Sequence, residues 1–401
     1  MKDPRMRRDT GELFNPTSEH HALRAMVRTF SERDVAPQAI AHDRDERFNQ
    51  TLFRQLGELG LLGLTVDETY GGAGMDPVAV AIVHEELSAS DPGFTLAYLA
   101  HSLLFANNLN LHGSEAQCLR LLPQVCSGSL ICGMGMSEPE SGTDVLALST
   151  TARRAGAGYV LNGAKMWITN GAVDESSLGD AFLVYARLEA DARSELTMFL
   201  VEKGMRGFRL GQRIHGKLGM RASQTAELVF EDCHVPQENR VGDEGAATLH
   251  MMQNLEIERL GLSAMALGIA RRCIEIMNAY ASERRSFGEP IRRHGQIQDH
   301  IATSYAEYMA GRHYVYGTAA RMDLRKPGQR LDSDGVKLFC ATMAKRVADR
   351  AIQVLGGYGY TAEYHVERLW RDAKLLEIGG GTNEAHQKNM SRDLARLDRI
   401  R

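Results

Sequence analysis

Residues able to hold a flat ligand or move a proton gather in four stretches. The first is "CGMGMSEPESGTD", residues 132–144. It crowds Gly, Ser, Thr and Pro between apolar segments, and its hydroxyls and free backbone N–H groups can cradle a polar planar ligand; a plain connecting loop has the same composition. The second, "KMWITNG", residues 165–171, sets Trp167 two residues before Thr169 on one face of a strand. A tryptophan face beside a hydroxyl donor suits a ring system such as isoalloxazine, and a core tryptophan is the plain alternative. The third is "NLEIERLGLSAMALGI", residues 254–269, where Glu258 falls in register with Leu255, Leu262, Met265 and Ile269. Steps of three and four put this acid on the apolar stripe of a helix, where an acid is either paired structurally or functional. Glu256 points about 200° away around the same helix. The fourth, "LLEIGGGTNEAHQ", residues 375–387, interrupts a helical pattern with Gly379, Gly380 and Gly381. Each glycine costs about 1 kcal/mol in a helix interior relative to alanine.

The elements that must position these residues fall into three blocks. Residues 17–130 read mostly helical: "EHHALRAMVRTFSERDVAPQAI" has apolar residues at helical spacing and ends where Pro37 intervenes. From 131 to 243 the period changes. "YVLNGAKMWITNG" alternates apolar and polar residues across an expected hairpin turn at Asn162-Gly163. "DAFLVYARL", "LTMFLVEKG" and "AELVFEDCHVP" read as further short strands. From 244 long helices return, the first running for some forty residues from "AATLHMMQ" to "ERRSF". Helices, strands and helices in one chain imply an α+β protein in three domains: 1–130 helical, 131–243 β, 244–401 helical.

Composition narrows the function class. The chain has 401 residues, enough for two or three domains, with 43% hydrophobic and 24% charged residues and a net charge of -4. Nothing in this recommends nucleic acid or a membrane surface as partner. "MKDPRMRRDTGELF" at the N-terminus has no apolar core and is a poor match to a secretory or transit signal. No apolar run approaches the roughly 20 residues of a membrane span. The six cysteines form no CxxC pair, and the histidines show no HExxH or similar spacing, so no metal site is expected. A reducing, cytoplasmic setting is the expectation.

The stretches also form one ordered set. "SEP" and "SGTD", then "NGAKMWITNG", "LGMRAS", "FEDCHVP", "ERRSFGEPI", "QVLGGYGYTAEYHVERLWRDAK" and "GGGTNE" resemble the acyl-CoA dehydrogenase family over nearly the whole chain, in the right order. "AYLAHSLL", "GMSEP" and "KLGMRAS" lean toward its isovaleryl-CoA dehydrogenase type. The resemblance implies an N-terminal helical domain, a middle β-barrel or sandwich domain and a C-terminal four-helix bundle, assembled as a homotetramer (a dimer of dimers). It implies FAD as cofactor, 2,3-dehydrogenation of an acyl-CoA, and an electron-transfer flavoprotein as acceptor.

Residue by residue, the resemblance implies the following. Met134, Met136 and Ser137 run along the flavin's pyrimidine edge. Gly142 and Thr143 meet its phosphate side and the thioester. Trp167, with Ile168 beside it, lies against the flavin, and Thr169 holds its N5 edge. Arg284, Phe287, Gln353, Gly356 and Gly357 reach the FAD of a neighbouring subunit, and Thr382 and Glu384 contact the adenosine side. Glu256, Arg259, Gly379 and Gly380 join Thr143 on the substrate. One departure stands out: the family's flavin-contacting glutamine falls on Gly295 in an ungapped match, with Gln296 one position off.

The base is also displaced. Most family members carry the catalytic carboxylate just before the "GT" of the last motif, where this chain has Gly380. The isovaleryl and long-chain types keep it on the long helix, followed by arginine, as in Glu258-Arg259. Glu258 is therefore the expected base. Its task is to take the α-proton of a thioester, which suits a carboxylate whose pKa burial has raised. In the family the substrate carbonyl is polarised by the backbone N–H at position 380 and a flavin ribityl hydroxyl. Missing side chains at 379 and 380 are expected to open room for a branched acyl group. Alternatives within the fold are another acyl-CoA or acyl-carrier-protein substrate, direct reaction with oxygen, or a non-redox elimination; an inactive flavin-binding scaffold is the alternative from another class.

Overall fold

The structure is a computed structural model that describes residues 12–189 and 195–397; the first eleven residues, read above for targeting, lie outside them. The N-terminal block holds α1 (Ser18–Phe30), α2 (Ala36–Arg44), α3 (Gln50–Glu58), α4 (Pro77–Ser88), α5 (Pro92–Leu99), α6 (Asn108–His112) and α7 (Glu115–Cys126). Pro37 does not end the first helix. A π-helical stretch, Ser31–Val35, joins α1 to α2, and Pro37 follows directly after this widened turn, in the first turn of α2.

The middle block is one eight-stranded sheet. Along β6 (Phe208–Arg213), β7 (Thr225–Pro236), β3 (Gly158–Thr169), β2 (Thr151–Ala155), β4 (Ala181–Leu188), β5 (Leu196–Glu202) and β8 (Arg240–Val241), each strand bonds to the next. β1 (Cys132–Gly135) adds in parallel to β4. The expected hairpin turn is misplaced by half a strand. β2 and β3 pair from Ala155↔Gly158, so the chain reverses at Gly156-Ala157. Asn162-Gly163 lies inside β3, where the register with β7 shifts. Gly163, at φ +143°, leaves no room for a side chain, because a Cβ would stand 2.6 Å from the Thr150 hydroxyl.

The C-terminal block contains α8 (Ala247–Glu283), a short hairpin of β9 (Arg285–Ser286) and β10 (Glu289–Pro290), α9 (Gly295–Ala319), α10 (Arg330–Leu355), α11 (Val366–Leu376) and α12 (Asn383–Leu394). At 37 residues, α8 is the axis of the molecule, packed against α10, α4, α9 and α11. That position overrides its amphipathic pattern. Every residue from Asn254 to Ala270 is buried, Glu256 as well as Glu258, so this stretch has no solvent face. One hydrophobic cluster runs from α1 and α4 through α8 into α10 and α11, and two others fill the sides of the sheet. Among the described residues no helix is long and apolar enough to cross a membrane.

Candidate active site

Glu258 sits in the first part of the buried stretch of α8, 8% exposed, and its Oε2 has no hydrogen-bond partner among the described residues. Burial pushes this carboxyl up to about 7, while the charges of Arg259 and Lys337 pull it back. A carboxyl in that state can take a proton near neutral pH.

The triple glycine faces it. After α11 the chain closes with the Gly379 N–H on Leu375 O at 2.8 Å, turns, and enters α12, whose N-terminus is capped by the Thr382 hydroxyl. Gly380 and Gly381 stand at φ +67° and +101°, the left-handed region where side chains are strained. A Cβ on Gly380 would lie 3.5 Å from Glu258 Oε1, so the two positions share one pocket. The same Cβ would overlap Leu262 Cδ1. The room expected at 380 is thus already taken by a leucine one turn beyond Glu258. At 379 a Cβ would meet only Leu375, at ordinary contact distance.

The turn is gripped from behind. Lys337 Nζ donates to Gly381 O at 2.8 Å, and Arg259 Nε approaches Gly380 O at 3.4 Å. His386 lies between Gly381 O, 3.0 Å from Nε2, and Asp334 Oδ1, 2.8 Å from Nδ1. Asp334 also pairs with Arg259 at 3.0 Å. With its carbonyls held, the turn leaves the Gly380 N–H without a backbone partner among the described residues.

Two expected substrate residues are used inside the protein. Arg259 is buried in the pair with Asp334. Glu256 accepts the N–H groups of Gly328 and Gln329, both at 3.1 Å, which fixes the turn leading into α10. Its carboxylate is not brought beside Glu258.

The β domain presents the second half of the site. Glu138 and Lys165, both buried, pair at 2.8 Å. Burial works against the Glu138 charge, but the ammonium outweighs it and holds the carboxyl well below the usual carboxylate range. Glu138 also accepts the N–H groups of Ser149 and Thr150, and Lys165 Nζ bonds Met136 O at 3.2 Å. This lock sets the course of the Met136–Ser137 backbone, and the Met166 N–H on Ser137 O at 2.9 Å ties it to β3. A register shift between Lys165 and Ile168, with Trp167 at φ +66°, then turns the indole outward. Trp167 is 61% exposed beside half-buried Thr169. The side chains of Met134 and Ile168, by contrast, are buried on the two faces of the sheet.

The remaining expected cofactor residues lie elsewhere. Arg284 follows α8, its guanidinium 6.0 Å from the Tyr358 ring, and Phe287 is 96% exposed on the β9–β10 hairpin. Gln353, Gly356 and Gly357 are exposed at the end of α10. Twenty-six residues at 1.5 Å each put Arg284 roughly 39 Å along α8 from Glu258. Thr382 and exposed Glu384 open α12, and Gly295 and Gln296 are both exposed at the start of α9. The residues that sequence reasoning missed are Lys337, Asp334, His386 and the Glu138–Lys165 pair. The lysine did leave a signal: Lys337 follows Val336 and precedes Cys340 and Ala344 at helical spacing, on a buried face.

The fit to a large planar cofactor with a phosphate arm rests on geometry: an exposed indole face, a locked backbone edge at 136–137, and open space around Gly142, where a Cβ would meet nothing within 4 Å. Among the described residues no cluster of His, Cys, Asp and Glu could hold a metal ion.

Comparison with known proteins covers nearly the whole chain. Residues 17–129 match the family described as acyl-CoA dehydrogenase, N-terminal domain, 133–233 the middle domain and 248–395 the C-terminal domain. A mitochondrial isovaleryl-CoA dehydrogenase of Oryza sativa subsp. japonica is 42% identical over 385 residues, 95% of this chain and 92% of that one. The butyryl-CoA dehydrogenase of Megasphaera elsdenii superposes with a TM-score of 0.90 at 33% identity, over 95% of this chain and 99% of that one. A glutaryl-CoA dehydrogenase of Mycobacterium smegmatis in complex with FADH2 gives 0.89 at 29% identity, with 98% of each chain covered.

Proposed function

The chain belongs to the acyl-CoA dehydrogenase family, and on that premise we propose that it binds FAD and desaturates a short, branched acyl-CoA at C2–C3, with Glu258 as base. The observation that carries this reading is the buried, unpartnered Glu258 carboxyl facing Gly380. FAD, when bound, supplies the acceptor for the β-hydride. Met136, Ser137, Gly142, Thr143, Trp167 and Thr169 would hold it from this chain, with Thr382 and Glu384 toward its adenosine end. Arg284, Phe287, Gln353, Gly356 and Gly357, too far along the molecule to serve the same site, would serve that of a second copy.

The protein's part in the reaction follows from its own groups. The Gly380 N–H, left open by the grip on the neighbouring carbonyls, donates to the thioester oxygen and favours the charge that grows there. The Glu258 carboxylate, buried beside Gly380, receives the α-proton. The Glu138–Lys165 lock keeps the 136–137 edge at a fixed height above the ledge. The preference for a branched acyl group is supported by likeness to the isovaleryl enzyme, not by room at 380, which Leu262 fills. The proposal includes a homotetramer, an electron-transfer flavoprotein as acceptor, and a reducing, cytoplasmic setting for six free, buried cysteines.

Anaerobic mixing of the yellow protein with a panel of acyl-CoAs tests this. Bleaching of the visible flavin absorbance should be fastest with short branched thioesters. If no thioester bleaches it, the reading is wrong; FMN instead of FAD after acid release, or a flavin-loaded monomer in sedimentation, would overturn the cofactor and assembly parts.

A further inference from the structure

Two buried charges flank the glycine turn without an ion-pair partner among the described residues. One is Glu258; the other is Lys337, fully enclosed on α10. The neighbouring charges are already matched. Arg259 is paired with Asp334, and Glu377 at the end of α11 with Lys374 at 2.7 Å. The hydrogen bond from Lys337 to Gly381 O does not by itself call for a cation, since His386 lies on the same carbonyl. An ammonium is costly to bury, and an uncharged donor would hold the carbonyl as well.

We infer that Lys337 is a positioning residue for the reaction: it clamps the Gly380–Gly381 turn and supplies the positive charge that faces the base across it. The inference rests on the proposed role of Glu258 and deepens it. The groups facing Lys337 are Glu258 and Arg259 from α8, Asp334 one turn earlier on α10, Glu377 after α11, and Glu384 and His386 on α12. Burial lowers Lys337 to about 7, and of the charges that raise it Glu258 acts most strongly. Each therefore helps to keep the other ionised: Arg259 acts more strongly on Glu258 but is shared with Asp334, and without the Lys337 ammonium burial would hold more of Glu258 protonated at neutral pH, a poor state for a base.

Infrared titration of the holoenzyme reads this without turnover. The band of the protonated buried carboxyl is assigned by its loss in Glu258→Gln, and its midpoint is followed in Lys337→Met and Lys337→Gln. Both neutral variants should move the midpoint to higher pH by at least about one unit, the low end for removing a neighbouring opposite charge. The acid limb of kcat/KM should move with it, and Lys337→Arg should restore the midpoint. An unmoved midpoint in a folded neutral variant overturns the inference. So does failure of both neutral variants to fold and hold FAD, because the residue would then be structural. If Glu258→Gln still reduces its flavin while the midpoint shifts as stated, the base assignment fails and the electrostatic coupling stands.

Discussion

The Glu258 pocket and the Trp167 ledge prepare for a ligand in opposite ways. The pocket is finished within one chain: its acid is buried, its turn is held by Lys337, Arg259 and His386, and even the space at Gly380 is filled. The ledge is prepared but open. A buried ion pair fixes its backbone, while the indole above it is left mostly exposed. Reaction geometry is thus stored as polar contacts that exist before binding, and binding energy as apolar surface waiting to be covered. Losses in the pocket should appear as rate and stability, and losses on the ledge as affinity.

The largest effect should come from Glu258→Gln. Flavin reduction by substrate should fall at least about 100-fold, the low end for a positioned general base, with FAD content and assembly kept; stopped-flow reduction at the normal rate would remove the assignment. Gly380→Glu added to that variant should not restore activity, because the new side chain meets both a left-handed backbone and Leu262. Adding Leu262→Ala as well should recover part of it.

Trp167→Ala comes next. Since 61% of the side chain is exposed, the apoprotein's denaturation midpoint should hardly move, within about 0.5 kcal/mol. FAD affinity should drop about fivefold or more, in line with the roughly 1–3 kcal/mol of a ring stacked on an aromatic face. Equal losses in both measurements would mean the indole is a core residue after all. Gly380→Ala, by contrast, should cost about 1–3 kcal/mol of stability from backbone strain alone, whereas Gly379→Ala should be nearly silent in the same urea titration.

The smallest effect on the rate is expected from Glu256→Gln. The amide keeps one acceptor for Gly328 and Gln329 and loses the other, so about 1 kcal/mol of stability should go with flavin reduction unchanged. A loss of rate larger than that of Glu258→Gln would interchange the two acids and dissolve the contrast between the regions.

Much of this was legible in the sequence, for local reasons. The change of period from helix to strand and back marked the three blocks, and the apolar neighbours of Glu258 marked it as buried. What escaped depends on partners far along the chain. The burial of Glu256 follows from α8 being wrapped on every side, which its own pattern does not record. The Asn162-Gly163 pair has turn chemistry, yet β7 runs on past it and makes it a bulge. Pro37 looked like a stop, but a π-helical stretch before it lets the helix continue. The filled space at Gly380 is set by Leu262, 118 positions earlier, and no composition of the glycine motif could announce it.

The length of α8 has an evolutionary consequence. One unbroken helix carries Glu258 in its first half and delivers the Phe287 hairpin at its far end. Inserting a single residue between them would advance the hairpin by about 1.5 Å and swing it about 100° around the axis relative to the acid. Every side chain beyond the insertion would leave the packing it was chosen for. Descendants of this chain can therefore vary their loops freely in length, while the count of residues from 258 to 284 is frozen, because it ties the placement of the buried acid to that of the hairpin.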